Sequence, residues 1–304
     1  MYKEIDSNKR RTALLIGFFL LFIIAFGYVL SWYFGNYLIL IIAVIIATVQ
    51  SLVSYYYSDS ITLAVSGAKE MPRKEPFLTL HREVENLSIT AGLPKPKIFL
   101  INDSAPNAFA TGRDPKHASI AVTSGLLEKL NKTELEGVIA HELSHVGNYD
   151  IRLMTVVVVL VGIIALASDF FLRWTWFGGG RRRNDGEGGG QLQLILLIIA
   201  IAMAILAPLA ATLIQLAISR KREYLADASG SLLTRYPEGL ASALEKISKD
   251  PEPLEVANKA TAHLYIESPF KDASQNRGWL AGLFDTHPQV GERIKKLRAM
   301  ISKE

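Results

Sequence analysis

Between Val138 and Asp150 the chain reads VIAHELSHVGNYD, with His141 and His145 four residues apart and Glu142 directly after the first. On a helix that spacing places both imidazoles on one face, about a turn apart, where they can share one cation. Glu142 is rotated roughly 100° from His141, so it lies beside such an ion without having to bind it. A carboxylate there can take a proton from an attacking water and later pass it to a leaving amine. Metal-assisted hydrolysis of a peptide bond is the chemistry this pattern predicts. A catalytic zinc needs three protein ligands and an open position for water, so a third ligand must come from elsewhere in the chain.

The elements that position these residues are largely apolar. Four runs, at 12–34, 37–57, 153–172 and 192–218, each reach the roughly 20 residues needed to cross a bilayer. The first is longer than a secretory signal core and is expected to stay as an anchor. Half of the 304 residues are apolar and the formal net charge is +4, with Lys9, Arg10 and Arg11 before the first run and Arg220, Lys221 and Arg222 after the fourth. Basic clusters so placed orient membrane helices rather than bind nucleic acid. They predict a cytosolic N-terminus. The chain has no cysteine, which removes disulfides and thiolate metal sites.

The expected organisation follows: an N-terminal membrane hairpin over 1–57, a cytosolic part over 58–150, a second hairpin over 151–219 with the Gly/Arg-rich link at 178–190, and a cytosolic part over 220–304. Arg181, Arg182 and Arg183 in that link run against the positive-inside tendency. In the soluble part, Phe77, Leu80, Val84 and Leu87 fall at helical spacing with Gly92 as a stop. Strand-like stretches follow at 97–101, 107–112 and 118–125. Thr133 with Glu136 forms a capping-box pattern ahead of the histidine helix.

The best third ligand lies directly after the fourth apolar run, in SRKREYLADASG: Glu223, with Asp227 four residues on and facing the same way. Asp227 would hold the outer nitrogen of one histidine. The alternative is a solvated acidic face pairing with Arg220 and Arg222. Two apolar runs separate His145 from Glu223, so the chain returns to the same side of the membrane between them. Both residues then sit close to one membrane surface.

HELSH, EYLAD, NAFATG at 107–112 and THPQVGERI at 286–294 together resemble the HtpX-type membrane zinc proteases, relatives of the CAAX prenyl proteases. The similarity runs over most of the chain, with Gln289 standing where that family commonly has a second proline. It implies an α+β fold, mainly helical with a small sheet: a zincin-like (gluzincin) domain on about four transmembrane helices. It also implies one Zn²⁺ per chain on His141, His145 and Glu223, Glu142 as catalytic base, Asp227 supporting a ligand, and His287 stabilising the oxyanion. The strand with Asn107, Ala108 and Phe109 would pair with extended substrate, a mode that reads backbone rather than side chains.

The expected partners are polypeptides, chiefly misfolded or unassembled membrane proteins, and the lipid bilayer, with no nucleic acid. The expected location is the cytoplasmic membrane, multi-pass, with the active site facing the cytosol. Two rivals stay open: a non-enzymatic scaffold or transporter with a structural zinc, and a protease whose HExxH lies within the bilayer. His81, His117 and His263 lack a partner at ligand spacing and read as surface or satisfied helix residues. Oligomeric state and cleavage preference are not legible.

Overall fold

Two helices long and apolar enough to cross a membrane open the chain, α1 (Tyr2–Phe34) and α2 (Tyr37–Tyr56). The reversal between them uses Gly35 at φ 61° and Asn36, whose side chain accepts from the Leu38 amide at 3.0 Å and caps α2. The pair packs closely: a Cβ on Gly27 would stand 2.1 Å from that of Ala43, so only glycine permits the approach. Their outer faces present Leu21, Trp32, Leu38 and Ile45 outward, as lipid-facing helices do. The computed structural model describes residues 2–178, 220–258, 260–269 and 288–301. The fourth apolar run and the Gly/Arg-rich link beyond Gly178 lie outside them.

After α3 (Ser58–Val65) comes a four-stranded sheet of β1 (Lys69–Glu70), β2 (Lys97–Ile101), β3 (Ala108–Gly112) and β4 (Ala118–Thr123). Its order is β1-β2-β4-β3, with β2 and β4 parallel and the other pairs antiparallel. The three expected strands form; the two-residue β1 is additional. β3 pairs with β4 along one side only, in a register that sets Ala108 opposite Val122 and Ala110 opposite Ile120. It is therefore an edge strand.

α4 (Leu78–Ala91) ends at Gly92, which takes φ 66° as the expected stop. The short α5 (Ser124–Lys129) leads to α6 (Lys132–Gly147), α7 (Asp150–Gly178), α8 (Arg220–Thr234), α9 (Pro237–Lys249) and α10 (Val290–Ile301). Side chains alternate across the sheet. Ile98, Ala110, Ile120 and Val122 pack with Val84 of α4, Val138 and Leu143 of α6, and Leu240 and Leu244 of α9. On the opposite face, Ile101, Phe109 and Ala121 pack with Val157 and Leu160 of α7 and with Leu264 and Tyr265. The sheet is thus covered on both sides, and the histidine helix is one of its covers.

The cap of α6 corrects the expected one. Asn131, not Thr133, is the N-cap: its Oδ1 accepts from the Glu134 amide at 3.0 Å, while Glu134 Oε2 accepts from the Asn131 amide at 2.8 Å. An asparagine two residues earlier serves the box equally well, and Glu136 lies 3.8 Å from Lys132 instead. Past Gly147 the chain bends by 83° into α7, through Tyr149 at φ 59°. The first turns of α7, including Ile151, Leu153 and Val157, are fully buried in protein. The third apolar run therefore begins as core.

Candidate active site

α6 carries His141, Glu142 and His145, all buried, into the space between the sheet and α8, which brings Glu223 and Asp227. The two helices meet at Gly230, where a Cβ would lie 2.9 Å from the His141 backbone nitrogen. A glycine there lets Glu223 reach the histidines. His141 Nε2 and His145 Nε2 are 3.2 Å apart, and Glu223 oxygens stand 3.7 Å from the first and 3.6 Å from the second. Both acidic residues of α8 are buried, and Arg222 turns instead to Asp150 at 2.7 Å. The solvated acidic face considered from sequence is not what forms.

Each histidine has a carboxylate behind it. His141 Nδ1 is 3.0 Å from Asp227 Oδ1, and His145 Nδ1 is 3.0 Å from Asp150 Oδ2. A carboxylate accepts only, so the outer nitrogens carry the protons and the inner pair present lone pairs. Three acceptors then converge on one small volume, an arrangement that demands a cation. A tetrahedral ion with bonds of roughly 2.0–2.1 Å would set its ligand atoms roughly 3.3–3.4 Å apart. The 3.2 Å between the two nitrogens and the 3.7 and 3.6 Å from them to Glu223 Oε2 and Oε1 respectively lie near that edge length. The donor set fits a metal. Among the described residues these three form the group of His and acidic side chains close enough to hold an ion.

The electrostatics favour positive charge in this space, which without an ion is carried by a proton on His145 that a bound cation would replace. Burial works against a charged His145, yet its hydrogen bond to Asp150 and the nearby Glu223 carboxylate push it up to about 9. Burial would raise the Asp227 carboxyl, but the Arg293 guanidinium and the bond to His141 hold it down to about 2. Arg293, on α10 and wholly buried, grips Asp227 with two bonds, Nε to Oδ2 at 2.9 Å and Nη2 to Oδ1 at 2.7 Å. Burial raises the Glu142 carboxyl, and the Ala110 amide of β3 donates to it.

β3 thus borders the site through the edge that faces away from β4. Along it the Ala108 carbonyl accepts from the Ile266 amide at 3.0 Å, and Asn107 Nδ2 donates to the Glu267 carbonyl at 3.1 Å. Phe109 points into the sheet's other face, edge-on to Tyr265. The chain's own 265–267 stretch occupies the place beside Asn107 and Ala108. His287 lies outside the described residues. His263 and His81 are buried, each 3.1–3.2 Å from a backbone carbonyl, of Met154 and Met71, while His117 faces Asp114 at the surface.

Sequence reasoning missed two supports. Asp150 was legible only as the end of the histidine helix, and Arg293 only as part of the GERI stretch. Asp150 is also met by Asn8 of α1, whose Nδ2 donates to Oδ1 at 2.7 Å and to the Asn148 carbonyl at 3.0 Å. The start of a membrane helix is thereby joined to a histidine support.

Comparison with known proteins gives the same picture from another direction. Residues 74–301 match the model of peptidase family M48. The chain is 46% identical over 301 residues to a protein of Dictyoglomus turgidum named "Protease HtpX homolog", covering 98% of this chain and 94% of that one. A protein of the same name from Caldanaerobacter subterraneus subsp. tengcongensis is 47% identical over 303 residues, covering 99% and 98%. One from Listeria innocua is 46% identical over 309 residues, covering 99% and 100%. The fold is similar to the crystal structure of S. mikatae Ste24p, with a TM-score of 0.50 at 20% identity, over 98% of this chain and 67% of that one. These matches do not favour a non-enzymatic scaffold or transporter. With two histidines and a glutamate gathered beside an edge strand, two bilayer-length helices and near full-length protease relatives, the assignment is that the chain belongs to peptidase family M48, as a membrane metallopeptidase acting on polypeptides.

Proposed function

We propose that this peptidase is a zinc endopeptidase holding one ion per chain on His141, His145 and Glu223, with Glu142 as general base. The observation that carries the reading is the convergence of three acceptors at 3.2–3.7 Å, with the outer nitrogens of both histidines facing carboxylates. When bound, zinc supplies a Lewis acid that polarises the scissile carbonyl and acidifies water. Asp227 and Asp150 fix the tautomer and direction of the imidazoles. Glu142, held by the Ala110 amide and raised by burial, takes a proton from the attacking water and returns it to the leaving nitrogen. His287 is proposed to steady the developing oxyanion.

Extended substrate would pair with β3 at Asn107, Ala108 and Phe109, taking the place that Ile266 and Glu267 hold beside it. Backbone pairing suits clients that share no side-chain motif, and we assign misfolded or unassembled membrane proteins as those clients. The basic Lys9, Arg10 and Arg11 ahead of α1's apolar part support a cytosolic N-terminus. The Asn8–Asp150 bond keeps the site near that same end of α1, which supports cleavage at the cytosolic face of the cytoplasmic membrane. A hydrolytic centre inside the bilayer is disfavoured, because α6 is capped by Asn131 and packs against the sheet.

The test uses full-length protein stripped with a chelator and then titrated with zinc, assayed on casein and on a membrane-protein substrate. Activity should return at one equivalent of zinc. Glu142→Gln should bind the same equivalent while cleavage falls by about 10²–10⁴-fold. Undiminished cleavage by that variant, or full activity with His141→Ala, would overturn the assignment.

A further inference from the structure

A crevice of about 490 Å³ opens where α1, α2 and the start of α7 meet, and none of His141, Glu142, His145 and Glu223 lines it. Lys9 and Arg152 line its polar end; Ile16, Gly17 and Leu52 line it roughly two turns further into the spans. Both cations converge on one aromatic ring: Lys9 Nζ lies 4.5 Å and the Arg152 guanidinium 5.0 Å from the Tyr149 centroid. Tyr55 meets Arg152 from the α2 side at 5.6 Å. Arg222, close by in the fold, is matched by Asp150; Arg152 donates its Nε to the Arg113 backbone carbonyl, and among the described residues neither it nor Lys9 has a carboxylate at ion-pair distance. Two like charges therefore line one crevice with no carboxylate among the described residues paired to either.

The position of this pair says what kind of anion suits it. Lys9 stands where α1 turns from polar to apolar, and Tyr55 and Tyr56 stand at the matching end of α2. That is the headgroup level, where tyrosines and basic residues gather. Below it the crevice is apolar and open: a Cβ on Gly17 would meet no atom within 4 Å. A free phosphate would satisfy the cations but leave this lower part wet. A phospholipid fills both.

We propose that this crevice binds one anionic phospholipid, its phosphodiester between Lys9 and Arg152 and an acyl chain along Ile16, Gly17 and Leu52. Basic pockets between membrane helices on the cytosolic side suit such headgroups. Lys9 neighbours Asn8 and Arg152 follows Asp150 by two residues, so the lipid would bridge the two strands of chain that the Asn8–Asp150 bond already joins.

The experiment takes full-length protein from nanodiscs of phosphatidylcholine carrying a minor fraction of phosphatidylglycerol, and counts the lipid kept through gentle release by native mass spectrometry. Wild type should keep one phosphatidylglycerol. Lys9→Gln/Arg152→Gln should keep at least tenfold less, and Arg10→Gln/Arg11→Gln, equal in charge but outside the crevice, should match wild type. Gly17→Phe leaves both cations in place and fills the apolar part; it should lose the lipid too, and it decides the matter if the charge variant does not fold. Equal retention by wild type and Gly17→Phe overturns the proposal. So does displacement of the lipid by millimolar inorganic phosphate, which would mark a simple anion site.

Discussion

At the scale of single residues, the metal site is a set of acceptors made compatible by carboxylates behind them. Asp150→Asn exchanges an obligatory acceptor for a group that can present its amide to His145. We expect metal affinity to fall about 10–100-fold, read by competition against a chelating dye, with the described fold intact. Asp227 offers a pH test. Its carboxyl is held down to about 2 in the folded protein, below its ordinary unfolded value near 3.9. A depressed acid contributes stability that is fully present above the unfolded value and is lost as pH falls through the folded one, here a contribution of roughly 2–3 kcal/mol. In metal-free protein the stability gap between wild type and Asp227→Asn should be full from about pH 5 upward and shrink from about pH 4 toward pH 2. A gap that widened with acid would contradict the Arg293–Asp227 pairing. The spacing His-Glu-x-x-His made three site residues legible, because a helix repeats within four residues. Arg293 was not, because it meets Asp227 from 66 residues away and nothing local in either stretch shows the pairing.

At the scale of elements, α6 and α8 must run close enough for one carboxylate to reach two imidazoles. Gly230 is the point of contact, since an added Cβ would lie 2.9 Å from the His141 nitrogen and 3.1 Å from neighbouring backbone carbons. Backbone cannot step aside as a side-chain tip can. Gly230→Ala should therefore cost about 1–3 kcal/mol and weaken metal binding as well, both read in one set of melts with and without zinc. Gly162→Ala on α7, where nothing lies within 4 Å, should be neutral or stabilising by up to about 1 kcal/mol. Strand positions were readable to within two residues, since β-branched and apolar runs are bounded by Pro, Asp and Gly; the third reads as running through 125, although Ser124 already starts α5. The order of the strands was not, and neither was the 83° bend after Gly147. That bend is what swings Asp150 behind His145, so the sequence showed the residue without showing its place.

At the scale of the whole molecule, membrane anchor and chemistry are joined through Asn8. Its side chain donates to Asp150 and to the Asn148 carbonyl, and its Oδ1 accepts from Arg222 Nη2 at 3.2 Å. One residue of α1 thus ties together the end of the histidine helix and the start of the helix that brings Glu223. Asn8→Ala should destabilise the protein by about 1–3 kcal/mol through unmatched buried groups. It should also weaken metal binding although it touches neither histidine nor Glu223, as isothermal titration in detergent would show. Unchanged metal affinity would mean that α1 serves only as an anchor.

The two imidazoles and the carboxylate that completes their triangle are synthesised some eighty residues apart, and Arg293 emerges later still. A ribosome stalled between them would display the hydrolytic motif on a nascent chain that has nothing to close the triangle. Such fragments should be inert toward the translocation machinery around them, and proteolytic competence would arrive only once the late helices dock.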